Sequence, residues 1–446
     1  MSKKLTFFEY FCGVMFTLVF LGSALIVFLG LLYFIKKEGL SRLGIALSWS
    51  VKLIAAFALL FVYTSIYPKR SDADIFKYFD DARVLSAIHH ENPGLFYRTM
   101  TGCWTNKDLP QINKMNYWFR SYDHGLINDN RIIIRINAVF NLITRGNYAL
   151  NLCLFLWCSW MGSYWLFRFF IHYSSSKLMA FIAAFLIPST IFWSSGILKE
   201  SILCFALGGF LYFLHKALDT KRIHWYLAMI PMLAMMLVLK IYLIVLLLPF
   251  LCLFLIWQWK QSKPVLLISF IGLLAIYALT NLFLFPNFDF LSALQGKQHD
   301  FIQMAKMVKA GSLVPIVPFD GSWSTFFLLI PLGIWNVIIY PTLSMVHSPQ
   351  TLLAFMENML FIVLFILALI NCILCRPLID WRIFFLFFCL SVFALVGSTA
   401  PVVGAMVRYK SPILPFLLLS LWHYQPQGLL DFFKQKRIAL WFNTHL

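Results

Sequence analysis

Two acidic side chains spaced two residues apart are the first candidates for chemistry in this chain. Asp72 and Asp74 follow Ser71 and precede Tyr78. Two carboxylates at this spacing can act as a general base with its orienting partner, or can hold a divalent cation beside a phosphate group. The same residues also suit the acidic N-terminus of a helix predicted over 75–88, so a structural role stays open.

A lysine and a glutamate form the second candidate. Lys199 and Glu200 follow a Ser-Ser-Gly break and lie between two apolar runs. Charged side chains in such a place are costly unless they contact water or a partner. The pair therefore predicts a lysine that binds a phosphate as a point charge, or two interfacial side chains that neutralise each other.

Cationic residues near the end of the chain form the third candidate. Arg408, Tyr409 and Lys410 immediately precede the predicted span 411–424. Cations beside the free N–H groups of a helix start are well placed to bind an anion, and the alternative is a pair of membrane-interface anchors. Lys240, between two predicted spans, is a weaker candidate whose alternative is a simple turn.

The composition defines the elements that must position these residues. Hydrophobic residues make up 61% of the 446 residues and charged residues 12%. That much apolar surface, in runs of about 17–25 residues, predicts an all-α polytopic membrane protein and excludes an outer-membrane barrel. We expect one membrane domain over 1–446 with about 11 transmembrane helices, in a range of 10–13. The predicted spans are 10–35, 46–66, 148–171, 178–196, 201–215, 225–239, 241–258, 265–285, 352–375, 382–399 and 411–424.

The distribution of positive charge predicts the orientation. The net charge of +18 is spread over short loops, which is typical of cytoplasmic loops and not of a nucleic-acid-binding surface. This pattern holds with an outside N-terminus if the apolar segment 324–346 is a re-entrant hairpin. The segments 67–147, with interfacial helices, and 286–350 are then non-cytoplasmic. The candidate residues fall on that face, which predicts a shared water-facing cavity.

Three short motifs occur in order along the chain: Asp72-Ala73-Asp74 with Tyr78; Pro188, Trp193, Lys199 and Glu200; and Arg408, Tyr409, Pro412 and Pro415. Together they resemble the GT-C integral-membrane glycosyltransferases, which include protein O-mannosyltransferases and lipid A aminoarabinose transferases. The acidic loop follows the second predicted span here, whereas in the family it usually follows the first. The usual His or Glu behind the acidic pair is replaced by Lys77-Tyr78-Phe79.

The resemblance implies a GT-C-like fold and transfer of a sugar from a polyprenyl-phosphate donor to a glycan, lipid or protein acceptor, with inversion. Asp72 or Asp74 would be the catalytic base, and Lys199, Arg408 and Lys410 would stabilise the departing lipid phosphate. The chemistry needs no nucleotide, and use of a divalent cofactor, Mg²⁺ or Mn²⁺ held by the two aspartates, stays open. The remaining expected substrate-binding residues are Tyr78, Glu200, Lys240 and Tyr409.

The expected setting is a bacterial inner membrane with the site facing the periplasm, in polysaccharide biosynthesis of the cell envelope. Two alternatives stay open. The first is an O-antigen or exopolysaccharide polymerase, which typically carries a long, late, Arg-rich external loop. The second is a transporter or flippase, which would place ionisable residues within its membrane helices in both halves.

Overall fold

The computed structural model describes residues 7–35, 39–65, 70, 73–119, 129–174, 176–259, 289–308, 310–375 and 382–435, with backbone only for 7–17, 34–35 and 432–435. Over these ranges the chain is helical, without strands beyond one isolated bridge between Leu313 and Val402. The predicted all-α class is confirmed.

Six of the described helices are long and apolar enough to cross a membrane. Two shorter apolar helices cover Leu18–Tyr33 and Trp323–Ile339. The count of eleven spans and the GT-C-like fold stay predictions, and the predicted span 265–285 lies outside the described residues. The six helices are Arg42–Ser65, Tyr148–Tyr173, Lys199–Thr220, Ile223–Gln258, Pro349–Cys375 and Arg382–Thr399.

The described chain forms two compact units. The first holds the described residues of 7–186 and 191–239, and the second those of 187–190 and 240–435. The single membrane domain predicted for 1–446 stays a prediction. The helices that lie in the first unit are α1 (Phe7–Ile35), α2 (Arg42–Ser65), α3 (Asp74–Glu91), α4 (Pro93–Thr101), α5 (Leu109–Ile112), α6 (Asn130–Thr144), α7 (Tyr148–Tyr173), α8 (Lys177–Phe185) and α10 (Lys199–Thr220), with a 3-10 turn at Asn106–Asp108.

Helices α7 and α10 approach closely because each offers a glycine at their crossing. A Cβ atom on Gly208 would lie 2.0 Å from the carbonyl oxygen of Gly162, and a Cβ on Gly162 would lie 2.2 Å from the carbonyl of Cys204. No side chain fits at such distances, so the two backbones are in direct contact. Small residues at a crossing are a common way for membrane helices to pack.

The predicted span 178–196 is wrong as one continuous helix. Helix α8 ends at Phe185, and a six-residue helix, α9, covers Pro188–Trp193. Pro188 explains the interruption, because proline has no N–H to donate and disfavours helical backbone at the residue before it. Residues 194–198 then run as irregular backbone up to α10.

The segment predicted as a non-cytoplasmic loop is largely helical where it is described. Helix α3 packs against α6, which matches the helix expected from Asn130 to Thr144. The buried carboxylate of Asp81 in α3 accepts the backbone N–H groups of Asn116 at 2.9 Å and Tyr117 at 2.7 Å. This aspartate therefore fixes the irregular segment 115–119 on α3.

The second unit contains the later helices. Here α13 (Trp323–Ile339) and α15 (Arg382–Thr399) cross at Gly333 and Gly397. A Cβ atom on Gly397 would lie 2.0 Å from the carbonyl oxygen of Gly333. Helix α13 continues through Pro331. The re-entrant hairpin expected over 324–346 stays a prediction. The helices are α12 (Phe290–Met307), α13 (Trp323–Ile339), α14 (Pro349–Cys375), α15 (Arg382–Thr399), α16 (Val403–Lys410), α17 (Leu414–His423) and α18 (Gln427–Gln435).

Lys240 interrupts the long helix α11 (Ile223–Trp259). Its backbone angles, φ −151° and ψ 74°, lie outside the helical region and divide α11 into two segments. The break falls at the residue between the two spans predicted there. Residues 223–239 belong to the first unit, and those from 240 onward to the second.

Candidate functional site

The acidic motif begins helix α3. Asp72 lies outside the described residues, so its role as a base or metal ligand stays a prediction. Asp74 is the first residue of α3, is 29% exposed in its side chain, and pairs with Lys77 at 3.4 Å. A carboxylate in the first turn of a helix is stabilised by the helix dipole, which agrees with the structural role that the sequence left open for this residue. Its exposed fraction leaves the carboxylate accessible to a substrate.

Tyr78 and Lys199, chosen from two separate motifs, contact each other in the first unit. The Lys199 ammonium lies 5.4 Å from the centre of the Tyr78 ring, a cation–π distance. The same ammonium pairs with the Asp129 carboxylate at 2.7 Å. The Lys199 side chain is 6% exposed and that of Asp129 21%, so the pair is largely shielded from water.

Asp129 was not among the residues predicted from the sequence. It directly precedes the helix predicted from Asn130, and an acid at a helix start is normally read as a cap. The only available signal was that Lys199, between apolar runs, required a partner. Nothing in the sequence indicated which carboxylate would supply it.

Hydroxyl groups shape the irregular backbone before Lys199. The Ser201 Oγ donates to the carbonyls of Ser194 at 3.0 Å and Gly196 at 2.6 Å. A Cβ on Gly196 would lie 2.3 Å from a methyl carbon of Leu59 in α2, so glycine allows this close approach. The Ser-Ser-Gly break therefore ends in a backbone held by side chains, with Lys199 opening α10.

Glu200 lies beside Lys199 in the first turn of α10 and is 3% exposed. A carboxylate in this turn is favourable to the helix dipole. Its predicted role in substrate binding stays a prediction.

A second lysine in this unit was missed by the sequence reasoning. Lys52 lies within α2, is 4% exposed, and donates from Nζ to the Ser194 Oγ at 2.6 Å. A lysine inside a predicted apolar span is itself a signal, because charges there are rarely kept without a role.

In the second unit, Lys240 and Tyr409 form a cation–π contact. The Lys240 ammonium lies 4.1 Å from the centre of the Tyr409 ring and 5.9 Å from that of Tyr242. Phe301 of α12 lies against Tyr409, with ring centroids 5.9 Å apart, and the Lys297 ammonium lies 5.0 Å from the Phe301 ring. Two lysines and their aromatic partners thus form one cluster, which includes two predicted residues.

Arg408, Tyr409 and Lys410 do not open a helix, contrary to the prediction. They form the last turn of α16, and a 3-10 turn at Ser411–Ile413 leads into α17. Cations in a last turn are favourable to the helix dipole and do not lie beside its free N–H groups. The anion-binding argument from a helix start is therefore wrong for this segment.

Lys410 belongs to a buried polar network. It is 2% exposed, and its Nζ donates to the Asn358 Oδ1 and, at 3.5 Å, to the Val337 carbonyl. The Asn358 amide donates to the Tyr340 carbonyl at 2.7 Å. The preceding residue, Glu357, is 5% exposed and accepts the Ser189 N–H at 2.9 Å. Asn358 and Glu357 were not predicted.

Two carboxylates outside the membrane-spanning helices have pKa values shifted in opposite directions. Burial raises the pKa of Asp81 to about 6, against the effect of the two N–H groups it accepts. The Arg98 guanidinium, which donates to Asp108 at 2.7 Å, lowers the pKa of that carboxyl to about 2. Asp108 also caps the 3-10 turn through Thr105.

Within the described ranges, no group of three or more His, Cys, Asp or Glu side chains could hold a metal ion. Of the predicted metal-binding pair, only Asp74 lies in those ranges. The expectation of Mg²⁺ or Mn²⁺ stays a prediction.

Comparison of the chain with protein-family profiles, with curated proteins and with solved structures finds no match.

Proposed function

We propose that this protein is a membrane glycosyltransferase that moves a sugar from a polyprenyl-phosphate donor to a glycan, lipid or protein acceptor. The observation that supports it best is the contact of Tyr78 with Lys199. Each belongs to a different one of the motifs that resemble GT-C enzymes. They lie together with Asp129, and Asp74 is one helical turn before Tyr78 in α3. The proposed setting is a bacterial inner membrane with the site on its outer face.

The proposed reaction needs a base and a cation, and we assign these roles to Asp74, one turn before Tyr78 in α3, and to Lys199. Asp74 accepts the proton of the acceptor hydroxyl, whose oxygen attacks the anomeric carbon. The bond from that carbon to the phosphate oxygen breaks, and the polyprenyl phosphate leaves with the electron pair. Attack from the opposite side inverts the anomeric centre.

Lys199 stabilises the phosphate that gains charge in this step. An ammonium held in place before the reaction is more effective than one that must reorganise. The Asp129 carboxylate holds the Lys199 ammonium in position at 2.7 Å, and the Tyr78 ring makes a cation–π contact with the same ammonium. Because Asp129 is partly exposed, it is able to turn toward water when phosphate takes its place on the lysine.

The test measures polyprenyl phosphate released from a panel of polyprenyl-phosphate hexoses by the purified protein in nanodiscs, with a bacterial envelope extract added to supply glycan, lipid and protein acceptors. Asp74→Asn is expected to lower kcat by about 100-fold or more, within the range for a general base. Lys199→Met is expected to lower kcat/KM for the donor. Lys114→Met, at an exposed lysine, is the matched control. Wild-type turnover in Asp74→Asn would refute the assignment of the base.

A transporter is the second candidate, because one specific feature favours it. Buried ionisable residues lie within helices of membrane-span length in both units, Lys52 in α2 and Glu357 in α14. The Glu357 Oε1 has no hydrogen-bond partner in the described part of the chain. If no donor in the panel is turned over, and proteoliposomes show flux of a polar substrate that depends on Glu357, the transporter becomes the better reading.

A further inference from the structure

The last turns of α7 and α10 lie together in the first unit. The Tyr173 hydroxyl, at the end of α7, lies 3.1 Å from the His215 Nδ1 in α10, and the rings of His172 and His215 have centroids 4.1 Å apart. The two helices also touch at Gly162 and Gly208, about three turns before these ends. The helices therefore run in the same direction, and both end on the same side of the unit.

This common end carries an excess of positive charge. Five basic residues and one acidic residue lie within five residues of the two helix ends, which gives a net charge of +4 with histidine neutral. Among the residues that the structure describes, Asp219 forms no ion pair. The charges are therefore not neutralised in pairs. The six residues are Arg168, Lys177, Lys216, Asp219, Lys221 and Arg222.

Arg168 of α7 and Lys216 of α10 share one aromatic neighbour. The Arg168 Cζ and the Lys216 Nζ each lie 6.0 Å from the centre of the Tyr212 ring, at the limit of a cation–π contact. The two cations are therefore no farther apart than twice that distance. Arg168 also donates from Nη1 to the Tyr164 hydroxyl at 3.0 Å, which orients its guanidinium. Two cationic side chains thus converge from neighbouring helices.

Lys216 has no anionic partner within the described ranges. Its ammonium forms neither a hydrogen bond nor an ion pair there, and it contacts the Tyr212 ring. Because an ammonium has three N–H donors, Lys216 can bind an anion without breaking an existing bond. Like charges also repel, so an anion between Lys216 and Arg168 relieves the repulsion between them. Both the charge and the donors at this place therefore suit an anion.

The positions of both cations along their helices match the depth of lipid headgroups. At 1.5 Å per residue, Arg168 lies about 8 Å from the end of α7 and Lys216 about 6 Å from the end of α10. Both residues are half-buried, and long basic side chains so near a helix end reach the membrane interface. Trp225, at the start of α11, has its ring centroid 6.2 Å from that of Tyr212. Tryptophan and tyrosine are enriched at membrane–water interfaces, which agrees with this depth.

We propose that Arg168 and Lys216 bind the phosphate group of an anionic membrane lipid at the common end of α7 and α10. The oriented guanidinium of Arg168 suits the oxygens of a phosphate, and Lys216 adds a point charge. Free inorganic phosphate offers the same chemistry. A lipid is the better match because both helices are long enough to cross a membrane and the cations lie near their ends, where lipid phosphates are found. This inference does not depend on the proposed sugar transfer.

The experiment measures thermal unfolding of the full-length protein in zwitterionic micelles, followed by tryptophan fluorescence, during titration with phosphatidylglycerol or phosphatidylcholine. We expect phosphatidylglycerol to raise the Tm of the wild type more than phosphatidylcholine does. The double variant Arg168→Gln/Lys216→Gln should bind phosphatidylglycerol about 10-fold more weakly, or less well still. The matched control is Lys221→Gln/Arg222→Gln, which removes the same two charges from the same end and should keep the wild-type affinity.

Equal weakening in the two double variants overturns the site, because general surface charge then accounts for the binding. An equal rise in Tm with both lipids in the wild type also overturns it. If inorganic phosphate stabilises the wild type as effectively as the lipid, the assignment to a lipid is wrong. If Arg168→Gln/Lys216→Gln fails to fold, Lys216→Gln alone is compared with Lys221→Gln: a selective loss of affinity supports the site, and equal affinities overturn it.

Discussion

Breaking the ion pair of Asp129 and Lys199 should destabilise the protein. The cost should differ between a substitution of the lysine and a substitution of the aspartate. The Lys199 Nζ and the Asp129 Oδ2 lie 2.7 Å apart, and the lysine is 6% exposed while the aspartate is 21% exposed. Lys199→Met leaves a carboxylate that still reaches water. Asp129→Asn leaves an ammonium that does not.

The magnitudes follow from these exposures. Removal of one partner of a buried pair costs about 3–5 kcal/mol, because an uncompensated charge remains. We expect the free energy of unfolding to fall by about 3 kcal/mol in Lys199→Met and by about 5 kcal/mol in Asp129→Asn. The double variant removes both charges, so it should cost less than the sum of the two, with a coupling free energy of about 1–3 kcal/mol.

The assay is denaturant titration in mixed micelles, followed by tryptophan fluorescence, which gives the free energy of unfolding for the wild type, both single variants and the double variant. Lys114→Met is the control for loss of a lysine charge and should be neutral. Additive costs in the double variant would refute the energetic coupling. A larger cost for Lys199→Met than for Asp129→Asn would refute the argument from exposure.

Two further predictions concern the scaffold. Burial raises the pKa of Asp81 in the folded state from its ordinary value of 3.8 to about 6, so the folded state binds this proton more tightly. The contribution of protonated Asp81 to the free energy of unfolding is complete below about pH 4 and is lost as the pH rises to about 6. The loss is up to about 3 kcal/mol for a shift of about two pKa units. Unfolding of wild type and Asp81→Asn between pH 4 and 7 should show this loss in the wild type alone, and identical pH profiles would contradict it. Gly208→Ala places a Cβ 2.0 Å from the Gly162 carbonyl and should cost about 1–3 kcal/mol of unfolding free energy or more. Gly22→Ala, with open space around its Cβ, is the control, and equal stability of the two variants would refute the close crossing of α7 and α10.

Much of the secondary structure could be predicted from the sequence. Long apolar runs predicted the helices that include 148–171, 352–375 and 382–399 to within a few residues at either end. Lys240 was predicted at the tip of a hairpin between two spans, and the structure shows only that the backbone departs from helical angles at that residue within α11. Such features depend on local composition, which is why one sequence is sufficient for them.

Local reasoning failed where one residue altered the course of a helix. The predicted span 178–196 ignored the effect of Pro188 and joined two short helices. By contrast, Pro331 lies inside α13, and the helix continues through it. A proline biases the backbone against a helix, but packing around it decides whether the helix ends.

The sequence by itself determined that the chain is helical and carries long apolar helices compatible with a membrane protein. It also identified charged residues, such as Lys199, that required partners. Lys199 was recognisable because a charge between apolar runs is costly wherever the chain folds. Only the tertiary structure decided that its partner is Asp129, that Tyr78 lies beside it, and that Lys52 meets Ser194. The physical reason is that the cost of burying a charge is a property of one residue, whereas its compensation depends on which distant helices pack together.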